Sequence, residues 1–155
     1  MKEAKQNANG GFSRKINKAV ATLALRRLAG ALCNSTIASD EAGDEILYGL
    51  PGVFSMELIA SDARVRLIKE ARALRVMKKA EKSAVLLRIK LEDLAVVSDI
   101  TARECTLQKA FSEGRLTFSG KTKYLATVMR ASAAGDKLLL TSDEYYELYG
   151  KKKED

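Results

Sequence analysis

The hydrophobic period of this chain changes twice, and that limits its fold more than any other feature of it. Phe54, Met56 and Leu58 alternate with Ser55 and Glu57, and Val65 and Leu67 with Arg64 and Arg66. Leu74 and Val76 alternate with Arg75, and Val85, Leu87 and Ile89 with Leu86 and Arg88. A period of two sends successive side chains to opposite faces, so each run reads as a strand with one face buried and one wet. Short polar pieces (Ser61-Asp62, Glu70-Ala71, Glu81-Lys82) separate the runs, and four such strands in succession predict an antiparallel meander.

On both sides of this block the period is helical. Ile16, Val20 and Leu23, then Leu25, Leu28 and Leu32, predict a helix from a Ser13 cap to Asn34, its stripe shifting between halves so that it wraps the body or kinks near Gly30. Gly49-Leu50-Pro51-Gly52 marks a stop and turn. Beyond the strands, Leu91, Leu94, Ala95 and Ser98 predict a short helix opened by Glu92 and Asp93, which suit a helix N-terminus. Gly114 and Gly120 bracket a brief strand with Leu116 and Phe118 on one face. Tyr124, Leu125, Val128 and Met129 line an amphipathic helix expected to stop near Gly135, and Ser142-Asp143-Glu144 opens a last turn carrying Tyr145, Tyr146 and Tyr149. The order predicts an α+β fold: a mostly antiparallel five-stranded sheet with helices packed on one face. A flexible basic arm is expected over 1–11, a single domain over 12–150 and a charged tail over 151–155.

Composition narrows the chemistry. The 155 residues include no histidine, which removes Ser-His-Asp and Cys-His nucleophile arrangements and the commonest general base. Two cysteines, Cys33 and Cys105, build neither a disulfide framework nor a usual zinc site and read as reduced thiols of a cytoplasmic protein. No phosphate-cradling glycine loop is present, and the acid pairs Asp40-Glu41, Asp44-Glu45 and Glu92-Asp93 point apart on a helix. The expectation is a protein that is not an enzyme and uses no cofactor. Ala19 to Leu25 is too short to span a membrane, and Arg26 and Arg27 break the one stretch that imitates an export signal.

The net charge of +7 is uneven: seven basic residues against Glu3 precede position 40, whereas 40–150 carries seventeen of each sign. A basic end on a neutral body reads first as a solvated face, then as a weak contact with an anionic membrane surface. Nucleic acid is not expected as a partner, because no aromatic-interleaved basic strand or recognition helix occurs.

One segment resembles a known family. The run Leu107-Gln-Lys-Ala-Phe-Ser-Glu-Gly-Arg-Leu-Thr-Phe-Ser-Gly120, followed by the helix through Tyr124, Leu125 and Met129, is similar to the signature of the sterol carrier protein type-two domain. With the leading helix and the strands upstream, the resemblance covers roughly residues 12–135. It departs where family members usually carry a loop glycine and this chain reads Asp99-Ile-Thr-Ala-Arg-Glu-Cys105. The resemblance implies non-catalytic lipid binding or transfer: an apolar tunnel for fatty acids, fatty acyl-CoA, sterols or phospholipids. Phe111, Leu116, Phe118, Leu125 and Met129 fall where the tunnel wall would be, and for any one of them an ordinary core position is the competing reading. The Tyr145, Tyr146 and Tyr149 turn is a candidate lid. The alternative is an interaction module with a filled core, docking through its N-terminal helix to a partner or to a second copy as a homodimer. A void of a few hundred Å³ between the sheet and the Tyr124–Met129 helix would favour lipid.

Overall fold

The computed structural model describes residues 2–150, with side chains from residue 17 onward. The charged tail expected over 151–155 and the side chains of the expected basic arm lie outside the described residues.

Helix α1 runs from Lys2 to Glu41, so its backbone takes in the segment 2–11 and passes Gly30 without interruption. Ala21, Leu25, Leu28, Leu32, Ser35 and Ser39 are buried, a seam at intervals of three and four that fits a straight helix. Val20 and Leu23 are more than half exposed, so the described part of the first apolar series faces outward while the second is buried. α1 ends just before Gly43, whose φ of 85° suits glycine, and a 3-10 turn over Ile46–Gly49 leads to the sheet.

The strands fall where the alternation places them: β1 Ser55–Ala60, β2 Ala63–Glu70, β3 Ala73–Val76, β4 Val85–Leu91 and, later, β5 Leu116–Gly120. Their arrangement corrects the expected meander. The order is β3-β2-β1-β4-β5, and β4 lies parallel to β1 instead of antiparallel to β3. The sheet is therefore mixed, not mostly antiparallel. Strand length gives the physical reason. β3 offers four residues to the seven of β4, whereas β1 offers six and is buried on both faces along nearly its whole length. The chain over 77–84 carries β4 across to the free side of β1, which makes β1 a central strand.

Helix α2 (Leu94–Thr101) is capped by Asp93, whose carboxylate accepts the Val96 N–H at 3.0 Å, as the acids there predict. Helix α3 (Leu107–Ser112) is capped by Thr106. Helix α4 spans Thr122–Leu139 and passes through Gly135, where it was expected to stop. A Cβ at Gly135 would land on the backbone carbonyl of Ser35, so the glycine lets α4 cross tightly over α1. Helix α5 (Ser142–Tyr149) opens with a capping box formed by Thr141 and Glu144. Met56, Leu58, Leu67, Leu74, Leu87, Ile89 and Leu116 form the core with the α1 seam and with Leu125 and Val128 of α4. The other sheet face lacks such cover: Arg64, Arg66, Arg88, Lys90, Thr117 and Ser119 are exposed on it.

Candidate functional site

The connection from α2 to α3 holds the least ordinary backbone near the helical layer. After the last turn of α2, Arg103 adopts φ 59°, the left-handed conformation that glycine fills at many helix ends. A side chain in this conformation costs roughly 1–2 kcal/mol. This is the loop in which the family resemblance leads one to expect a glycine. Strain of this kind persists only where surrounding contacts over-determine it.

Those contacts converge on Asp136 of α4, which is 6% exposed. Arg103 Nε donates to its Oδ1 at 3.2 Å, the Ser35 hydroxyl of α1 donates to the same oxygen at 2.7 Å, and the Tyr149 hydroxyl of α5 donates to Oδ2 at 2.7 Å. One buried carboxylate thus ties together α1, α4, α5 and the α2–α3 loop. Burial, and after it the Asp136 charge, pushes the Tyr149 hydroxyl well above the ordinary phenol range, so it stays a donor at neutral pH.

Three hollows meet at Arg103. A cavity of about 20 Å³, room for a water, lies beneath it between Leu28, Leu32, Ile100, Leu107, Asp136 and Tyr149. A cleft of about 400 Å³ runs between α1 and the end of α4, walled by Ile37, Ala38 and Leu139, with Asn34 and Glu41 along it. A third, of about 580 Å³, follows α5 past Ala102, Leu140 and Leu148 and is rimmed by Glu104, Glu144 and Glu147. Ile37 and Leu139 are 42% and 48% exposed, so the second cleft has an uncovered apolar wall with a guanidinium at one end. No residue of α5 is buried; the Tyr149 hydroxyl ties it to α4 at Asp136, and Tyr145 stacks on Tyr149 within the helix at 4.6 Å.

The five residues singled out from the sequence divide by position. Leu116 and Leu125 are buried in the core, and Phe118 and Met129 are half-buried against it. Phe111 is 41% exposed and packs edge-to-face on Phe118, with ring centroids 5.7 Å apart. They lie on α3, β5 and α4, and β5 touches both helices along this seam. Of the five, Leu116 borders a shallow cleft of about 250 Å³ with Lys90, Arg115 and Thr117. Cys33 and Cys105 are buried free thiols, and burial pushes Cys33 up to about 11. Sequence reasoning missed Arg103, Asp136 and Ser35. The available signals were the absent loop glycine before Cys105 and a Gly-Asp pair set inside an apolar helix.

No protein-family model matches the chain, and no curated protein does either. Solved structures do. Sterol carrier protein 2 like 2 from Aedes aegypti matches at 14% identity and a TM-score of 0.48, over 70% of this chain and 95% of its own. The protein TT1886 from Thermus thermophilus, described as a candidate sterol carrier protein, matches at 18% identity and a TM-score of 0.48, over 78% and 85%. The ubiquinone synthesis protein UbiJ-SCP2 matches at 17% identity and a TM-score of 0.47, over 70% and 92%. Each of these likenesses is partial, at 14–18% identity and TM-scores below 0.5.

Proposed function

We propose that this protein is a non-catalytic binding or transfer module for lipids, and that a fatty acyl chain with an anionic head seats in the cleft at Arg103. The observation that carries the reading is the pairing of a guanidinium, carried on a strained backbone position, with an uncovered apolar wall. Arg103 spends Nε on Asp136 and keeps further donors for a carboxylate or phosphate. The chain would lie along Ile37, Ala38 and Leu139, where each methylene removed from water contributes about 0.8 kcal/mol. A cleft of about 400 Å³ is of ligand size. Arg103 borders both this cleft and the small cavity lined by Leu28, Leu32 and Leu107. Asn34 beside the cleft could serve a neutral head such as a sterol hydroxyl.

A second reading is favoured by the packed interior. Leu116, Leu125 and Val128 fill the space between the sheet and α4 that a tunnel would need, as expected of an interaction module. Titration of the purified protein with a fluorescent long-chain fatty acid, competed by acyl chains of several lengths, separates the two. Saturable binding that Ile37→Asp and Leu139→Asp abolish places the chain in the cleft. Loss through Phe111→Asp instead moves it to the α3–β5–α4 seam. With no saturable binding at any acyl length, and no lipid in an organic extract by mass spectrometry, the interaction module stands.

A further inference from the structure

The open face of the sheet carries a charge cluster that the lipid reading does not use. Glu57, in the middle of β1, points away from the helices and is still only 1% exposed. Its Oε1 accepts from Arg64 Nη1 and from Arg88 Nε, each at 3.2 Å, and its Oε2 accepts from Arg66 Nε at 3.1 Å. The strand register sets Arg66 and Arg88 on either side of Glu57, and Arg64 and Lys90 on either side of Ile59. Beyond them on β5, Ser119 pairs with Arg88 and Thr117 with Lys90.

This arrangement fits an anionic partner better than an internal ion-pair network. Each guanidinium gives Glu57 one of its five N–H groups and remains 61%, 50% and 47% exposed for Arg64, Arg66 and Arg88. With Lys90, four cations face one buried carboxylate; Asp62 and Glu92 stand in the turns that follow β1 and β4, while Glu70 at the end of β2 and Glu81 are paired with Arg75 of β3 at the edge of this face. The cations form two rows, on β2 and β4, about 10 Å apart because one strand lies between them, with about 7 Å between residues within a row. Double-stranded nucleic acid offers phosphate rows across grooves about 6 and 12 Å wide, fixed in spacing like these arginines. Hydroxyls such as Thr117 and Ser119 are common phosphate donors. No aromatic ring lies on this face among the described residues, which disfavours stacking on single-stranded bases. Its apolar residues Ile59 and Ile68 are half-buried and offer little to insert into a bilayer.

We propose that this face binds the phosphate backbone of double-stranded nucleic acid without reading its sequence, independently of any lipid in the helical layer. The aromatic-interleaved strand whose absence argued against nucleic acid is a pattern for single strands. Here the basic rows come from two strands that are distant in the sequence.

The test is a titration of the full chain with a short DNA duplex over a range of salt. Four phosphate contacts predict that log K falls with log salt at a slope of about −3.6. The pair Arg64→Gln and Lys90→Gln leaves Arg66 and Arg88 on Glu57, and it should weaken binding at least tenfold and flatten the slope by about 1.8. The pair Arg26→Gln and Arg27→Gln on α1 removes the same charge and should change neither. Thr117→Glu with Ser119→Glu, which leaves the partners of Glu57 intact, should weaken binding as well and covers any loss of fold in the first pair. Equal losses from the face and α1 pairs would overturn the proposal, reducing it to attraction by net charge. So would tight binding to phosphatidylserine-containing vesicles that the face pair removes while duplex binding is unchanged.

Discussion

Arg103 occupies a backbone conformation that a glycine would hold without cost, and its side chain is tied to a buried carboxylate. Replacement by glycine relieves the strain but loses the ion pair, while replacement by alanine loses the pair and keeps the Cβ in the left-handed region. Arg103→Gly should therefore be more stable than Arg103→Ala by roughly 1 kcal/mol in chemical denaturation. The reverse order would show that the loop carries no strain. Both variants should lose fatty-acid affinity if Arg103 holds the head group. Glu57 makes a second prediction at this scale. Burial pushes its carboxyl up, but the Arg66 hydrogen bond, the charges of Arg64 and Arg66 and the Arg88 bond outweigh that and hold it below the ordinary value of 4.5. A folded-state pKa below the unfolded one stabilises the protein above the ordinary value, and the contribution fades as pH falls through the folded value. Glu57→Gln should cost on the order of 1–2 kcal/mol at neutral pH. The gap between parent and variant should close on acidification below about pH 4.5, as followed by thermal melts across pH.

Helix α4 shows how packing sets the consequence of a substitution. Leu125 is 1% exposed in a filled core, so Leu125→Trp should destabilise by about 1–3 kcal/mol, and Met129→Trp, on a half-buried position, by less. Equal tolerance of both would reveal a void between α4 and the sheet. Six positions further along, Gly135→Ala pushes a methyl into the Ser35 carbonyl of α1 and should cost roughly 3 kcal/mol, well beyond its gain in helix propensity. If this variant melts with the parent, the two helices do not cross as closely as described. Helix α5 differs in kind: it has no buried residue, and the Tyr149–Asp136 hydrogen bond ties it to α4. Tyr149→Phe takes the donor from Asp136 Oδ2 and should destabilise by roughly 1–3 kcal/mol, with amide exchange raised most in α5, since local opening follows the contacts that hold an element.

Across the whole molecule, a cleft of about 400 Å³ lies in the helical layer and a basic array on the opposite face, with one core between them. What the sequence by itself determined is local. Alternation at Phe54–Leu58, Val65–Leu67, Leu74–Val76 and Val85–Ile89 places the strands, because a period of two admits only one face to the core. Asp93 and Ser142-Asp143-Glu144 mark helix starts, because caps satisfy donors within one turn. Strand order depends on which edges are free and long enough to pair. That choice is made between segments some thirty residues apart, and it set β4 beside β1 against the meander that adjacency suggested. Only that choice brings Arg88 and Lys90 within reach of Glu57 and Arg66. Likewise, Gly135 reads along the chain as a helix stop and becomes a helix crossing once α1 lies against it, and Asp136 becomes a hub only where Ser35, Arg103 and Tyr149 meet it. Periodicity and capping are written within a few residues, whereas both candidate sites arise from contacts between elements, whose energies exist only once the chain has closed on itself.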